Sequence, residues 1–211
     1  MPEILGELRN AYTKYDSARY YFFRWRFEAS FENKVALALG FACLTGILAQ
    51  VRFYLPYTPV PVTGQVFAVL LSGVILGKFY GGLSQFLYAG LGAVGLPWFN
   101  GGKGGLDVLF GVTGGYIFGF IAASLIIGWF ADSYIRSRGL VPMFILMVFG
   151  IGVIILFGVA QLSLVLGTGM QKSIELGALP FIWVDIYKAL IASALASAVT
   201  PGKGFGQELD S

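Results

Sequence analysis

Residues 139–171 read GLVPMFILMVFGIGVIILFGVAQLSLVLGTGMQ, a stretch without one charged side chain. A helix needs ~20 apolar residues to cross a ~30 Å hydrocarbon core. This run is therefore long enough to span a bilayer and too apolar all round to be one face of a soluble helix. Three more uncharged runs precede it: Phe53 to Gly77, Phe79 to Gly102 and Val108 to Ala131. Composition agrees, because 57% of the 211 residues are hydrophobic and only 12% are charged, where a soluble domain carries about a quarter.

We expect an all-α, polytopic membrane protein with six transmembrane helices, near Val35 to Val51, Val66 to Gly77, Gly82 to Leu96, Thr113 to Ala131, Pro142 to Leu166 and Phe181 to Val199. The chain then divides into an amino-terminal cytoplasmic or interfacial extension (1–33), a six-helix membrane domain (34–200) and a cytoplasmic tail (201–211). The extension lacks the apolar core and small-residue cleavage site of a secretory signal. Its cluster Tyr20, Tyr21, Phe22, Phe23, Arg24, Trp25, Arg26 suits a membrane interface, where aromatic rings and basic heads both sit well.

The net charge of +3 would suggest nucleic acid in a soluble protein. Here the basic residues sit at the ends of apolar runs, so orientation explains them and no nucleic-acid partner is expected. Six Lys and Arg in the first 34 residues, with Lys78, Arg136, Arg138 and Lys203, fall on one side; Arg52, Lys103 and Lys172 fall on the other. The positive-inside rule places both termini in the cytoplasm. The single Cys43 forbids an intrachain disulfide. The absence of histidine removes the commonest general base and metal ligand, so neither an enzyme nor a metal or cofactor site is expected. No GxxxxGK motif is present to cradle a phosphate.

Several constellations carry polar chemistry. In the first span Ala38, Ala42 and Gly46 recur every fourth residue, with Ala36 and Gly40 in a second row. Small rows allow close helix approach, either to a partner protein or to another helix of this chain. LPYTPVPVTGQ (55–65) holds three prolines that impose an extended path and can lie over a pocket as a lid. It ends at Gln65, an amide that needs a partner near the bilayer. GLPWFNGGKGG (95–105) is a shaped glycine loop carrying Asn100 and Lys103. In PFIWVDIYK (180–188), Asp185 and Lys188 lie three residues apart on one helical face just inside the last span. Ionisable groups there normally face a cavity or each other.

TPVPVTGQ, GLPWFNGGKGG, GVTGGYIFGF and LPFIWVDIYKAL, in this order and spanning roughly Val35 to Val199, resemble the BioY family, the biotin-specific substrate-binding components of energy-coupling factor transporters. The chain departs from the pattern at Val112, where relatives usually carry the proline of GPTGGY, and at Lys103, where they often carry arginine. The resemblance implies a subunit of a prokaryotic plasma membrane that captures biotin from outside and assembles with a membrane coupling subunit and two cytoplasmic ATPases. Biotin joins a ureido ring through an apolar body to a carboxylate. A site for it calls for Asp185 as acceptor, Lys188 or Lys103 as cation, Asn100 and Gln65 as amides, and Trp98, Tyr116 and Trp183 as walls. Other readings are a different vitamin or a biotin precursor as ligand, an intramembrane enzyme using Asp185 and Lys188, or a structural subunit.

Overall fold

The computed structural model describes residues 2–205 and 208–210; residues 1, 206, 207 and 211 of the expected extension and tail lie outside the described residues. Helices α1 (Pro2–Glu28), α2 (Phe31–Gln50), α3 (Gln65–Ala93), α4 (Leu106–Leu109), α5 (Gly114–Ser133), α6 (Leu140–Leu166), α7 (Met170–Gly177) and α8 (Ile182–Val199) are joined by a short ribbon, β1 (Arg52–Phe53) against β2 (Val62–Thr63), and a 3-10 turn (Ile135–Arg138). Of these, α2, α3, α5, α6 and α8 are long and apolar enough to cross a membrane.

Five long helices form six helical segments because α3 is a hairpin. Gly77 adopts φ 77°, ψ −179° inside it, a region open essentially to glycine alone. A straight helix would hold Gln65 and Tyr88 roughly 34 Å apart at 1.5 Å per residue. Instead the Gln65 amide donates to the Tyr88 hydroxyl at 2.6 Å, and Gln85 donates to Ser72 at 3.2 Å. The expected second and third spans are the antiparallel halves 65–76 and 78–93.

An ion pair satisfies both helix ends exposed by this break. Arg26 of α1 donates to the carbonyls of Val74 (2.9 Å) and Ile75 (3.3 Å), which end the first half. Its other nitrogen meets Asp132 at 2.6 Å, and the second Asp132 oxygen accepts from the Lys78 backbone N–H at 3.1 Å, where the second half begins. Carbonyls and N–H groups orphaned at helix termini need such partners, most of all in low dielectric.

The remaining core is set by small residues. A Cβ on Gly119 of α5 would lie 2.8 Å from the Ile154 Cα of α6, so the TGGYIFG run brings two helix backbones into contact. Ala38, Ala42 and Gly46 of α2 are likewise buried, in contact with α3 and Trp98. Of the two readings open for Ala38, Ala42 and Gly46, a partner face or packing within the chain, their burial favours packing within the chain. Ala36 and Gly40, on the opposite side of α2, stay exposed.

The extension is not merely interfacial. One face of α1 docks on the bundle: Tyr15 donates to the Ala198 carbonyl, Arg19 donates to the carbonyls of Ser197 and Thr200 at the end of α8, and Phe23 is buried. Phe205 of the tail stacks on Tyr20 (4.8 Å between centroids) and Phe23 (5.9 Å). Tyr21, Phe22 and Trp25 remain exposed on the opposite face.

Candidate functional site

At the bundle end opposite Arg26, the loop 51–64 folds back over the helices. Its prolines hold it extended, and buried Val60 and Val62 pack with Leu162 and Phe181. Thr58 donates to the Leu176 carbonyl of α7 at 2.6 Å, which fixes the middle of the loop. Beneath it lies a narrow cavity of about 60 Å³, with walls from Val62, Val66, Phe99, Ile117, Phe120 and Ile154 and polar groups at its upper rim.

Asp185 and Lys188 enter that rim from α8. Asp185 is 6% exposed; the Lys188 ammonium donates to its carboxylate at 2.8 Å and to the Thr63 carbonyl at 2.7 Å. The lysine thereby ties the lid to the last helix while lining the cavity. A buried pair of this kind is well satisfied and expensive to break on one side. Gln65 donates to Tyr88 and accepts from Thr63 at 2.9 Å. Tyr116 crosses from α5 to donate to the Gly177 carbonyl at 2.6 Å, with its ring against Gly158.

Asn100 arrives on the glycine loop. Gly95, Gly101, Gly102 and Gly105 all have positive φ, so the loop turns tightly enough to drop Phe99, fully buried, between the helices. Gln50 of α2 holds this loop by donating to the carbonyls of Trp98 and Phe99 (both 3.1 Å) and accepting from Gly102 N–H at 3.1 Å. Asn100 donates to Tyr54 at the limit of 3.5 Å, while its side-chain oxygen is buried with no partner. An unsatisfied buried acceptor costs ~1–3 kcal/mol, and a ligand N–H would relieve it.

The cavity therefore brings together five of the expected site residues, Gln65, Asn100, Tyr116, Asp185 and Lys188. It does not include the other three. Lys103 is exposed beyond the loop, where its carbonyl, not its ammonium, is used by Phe99. Trp98 is a wedge between α2 and the α3 hairpin, its ring against Gly46 and its indole N–H donating to the Tyr88 carbonyl at 3.0 Å. Trp183 is 79% exposed on the outer face of α8; two residues from Asp185, it points away from the interior. The sequence reading missed Tyr88, Thr63 and Thr113, which also line the cavity. Tyr88 carried a legible signal, since a phenol inside an apolar span needs a buried partner. Among the described residues no group of three or more metal-ligating side chains converges.

The BioY family model matches residues 24–203. That match begins within α1 and takes in Arg26, which the expected domain boundary had placed outside. The chain is 46% identical over 147 residues to a probable biotin transporter BioY of Methanothermobacter thermautotrophicus, covering 66% of this chain and 94% of that protein. It is 42% identical over 148 residues to the biotin transporter BioY of Thermotoga maritima, covering 67% and 82%. The crystal structure of the S-component for biotin from an ECF-type ABC transporter shares its fold, with a TM-score of 0.74 at 24% identity over 82% of this chain and 93% of that one.

Proposed function

From the premise that this chain belongs to the BioY family, we propose that it is the biotin-binding membrane subunit of an energy-coupling factor importer, taking biotin from outside into the cavity under the 51–64 loop. The observation that carries this reading is Asn100, whose buried side-chain oxygen has no partner, lining a largely apolar cavity together with the polar residues Asp185, Lys188, Gln65, Tyr88, Tyr116, Thr63 and Thr113. A ureido ring supplies N–H donors for Asn100 and Asp185, an apolar bicycle suits Phe99, Ile117 and Phe120, and Lys188 offers a cation to a carboxylate or ureido oxygen.

A membrane coupling subunit and two cytoplasmic ATPases would supply the energy. The exposed row Ala36 and Gly40 supports a helix partner on α2. Both termini are assigned to the cytoplasm, because Arg26, Lys78, Arg138 and Lys203 cluster around Asp132 and Glu208 at one end of the bundle, opposite Arg52 at the glycine loop. Equilibrium dialysis of the purified protein against labelled biotin tests the reading. One biotin should bind per chain without ATP, uncompeted by thiamine or riboflavin; saturable binding of either vitamin in place of biotin would overturn it.

A further inference from the structure

A second cavity, of about 330 Å³, opens at the inner end of the bundle, far from the lid, and is lined by Arg26, Phe27, Lys34, Leu76, Lys78, Phe79, Tyr80, Asp132, Ser133 and Glu208. The charges that line it are not all neutralised. Arg26 pairs with Asp132 and is committed to the break at Gly77. Glu208 is 2.8 Å from Arg138 and also accepts from the Phe205 N–H. Two ammonium groups remain. Among the described residues Lys34 donates only to a neutral carbonyl, that of Phe27 at 2.9 Å, and lies 5.8 Å over the Tyr80 ring; Lys78 rests 5.0 Å from the ring of Phe79. Neither takes part in an ion pair among the described residues.

Large apolar rings stand beside both lysines in the chain. Phe79, adjoining Lys78, and Phe31, one turn before Lys34 on α2, are each 72% exposed. Exposed aromatic rings at the end of membrane helices suit the lipid boundary, which puts the two ammonium groups near the level where lipid phosphates lie. Basic pockets between membrane helices at the cytoplasmic surface suit acidic headgroups. We propose that this cavity binds the phosphate of an acidic phospholipid, with Lys34 and Lys78 as its cations, Tyr80 and Ser133 as hydroxyl donors, and the acyl chains passing over Phe31 and Phe79. A bound headgroup would brace α1, α2 and the α3 hairpin against one another at the Gly77 break.

The test uses full-length protein in phosphatidylcholine nanodiscs, with and without a fifth of the lipid replaced by phosphatidylglycerol, following melting temperature and, by native mass spectrometry, retained lipid. Wild type should retain phosphatidylglycerol selectively and melt higher in its presence. The double variant K34Q/K78Q should lose both effects, with biotin affinity within twofold of wild type. A K172Q variant, which removes an exposed lysine at the opposite end of the bundle, controls for a general loss of positive charge. The proposal is overturned if K34Q/K78Q keeps the same lipid retention and the same melting shift. It is equally overturned if inorganic phosphate reproduces the shift in phosphatidylcholine alone, because the ligand is then a free anion. Lipid selectivity that survives loss of biotin binding bears on this site only, so the two readings fail independently.

Discussion

Asn100 lies on the glycine loop with its side-chain amide oxygen buried and unmatched, and in the proposed site it is the acceptor for a ligand donor. Asn100→Leu removes the acceptor and leaves a ligand N–H unpaired; biotin affinity should drop about 10- to 100-fold, ~1–3 kcal/mol, with unchanged or raised melting temperature, by titration calorimetry and a thermal melt. Lys188 behaves differently because it serves the lid and Asp185 together. Lys188→Ala strands the buried carboxylate and frees Thr63, so affinity and stability should both fall, affinity by at least tenfold. Asp185→Asn keeps shape and loses charge, and normal affinity in both variants would remove this pair from the site. Gly77→Ala is the structural counterpart. Its Cβ would stand 2.5 Å from the Asp132 carboxylate in a conformation of φ 77°, and a loss of about 1–3 kcal/mol or more is expected, seen as a lower melting temperature with no direct contact to the cavity.

At the scale of elements, α2 has two faces that the sequence alone rendered alike. Ala38, Ala42 and Gly46 pack within the chain; Ala36 and Gly40 face outward, and nothing lies within 4 Å of a Cβ on Gly40. Gly40→Trp should therefore leave biotin binding intact while, on the proposed assembly, reducing co-purification of a membrane coupling subunit. Ala38→Trp should overpack the core, costing ~1–3 kcal/mol and lowering yield and melting temperature of the isolated subunit. Equal assembly of Gly40→Trp and wild type would place the partner on another helix. The element boundary at α3 was legible as two spans because GKFYGG (77–82) carries a charge and three glycines. Its closure by Arg26 was not, since that arginine is 51 positions from Gly77 in sequence and reaches it only through the docking of α1.

Over the whole molecule, the two terminal segments, α1 and residues 208–210, close the bundle end opposite the 51–64 loop together. Arg138 and Glu208 form an ion pair with both side chains 1% exposed, and Asp210 accepts from the N–H groups of Ile135 (2.6 Å) and Arg136 (3.0 Å). Burial pushes the Glu208 carboxyl up, but hydrogen bonds from Arg138 and the Phe205 N–H outweigh it and hold the group below its ordinary range. The Arg136 N–H, with that of Ile135, holds Asp210 low as well. Both folded values lie beneath the unfolded ones, so the tail's contribution is complete above about pH 4–5 and is lost as pH falls through the folded values. Proteolysis of the carboxyl-terminal tail should be slow at pH 7 and accelerate below about pH 4 while the membrane helices stay protected. A tail cut equally fast at both values would contradict the linkage.

The sequence by itself determined that this chain spans a membrane, roughly where its helices lie, and which polar groups are too costly to bury without purpose. Those are properties of composition and local spacing, and the bilayer makes them decisive because hydrocarbon tolerates no unsatisfied backbone or charge. Asp185, Lys188 and Gln65 stood out on that ground and Asn100 by its place in the glycine loop, while the BioY resemblance rested on four sequence motifs. Only the tertiary structure decided which way each side chain turns. Trp183 and Asp185 are two residues apart, yet one is exposed and the other buried, and Trp98 and Phe99 are neighbours that serve packing and cavity respectively. Facing depends on contacts far apart in the chain, between α8 and the 51–64 loop or between the glycine loop and α2, and no local pattern encodes which of two equally apolar faces a neighbouring helix will cover.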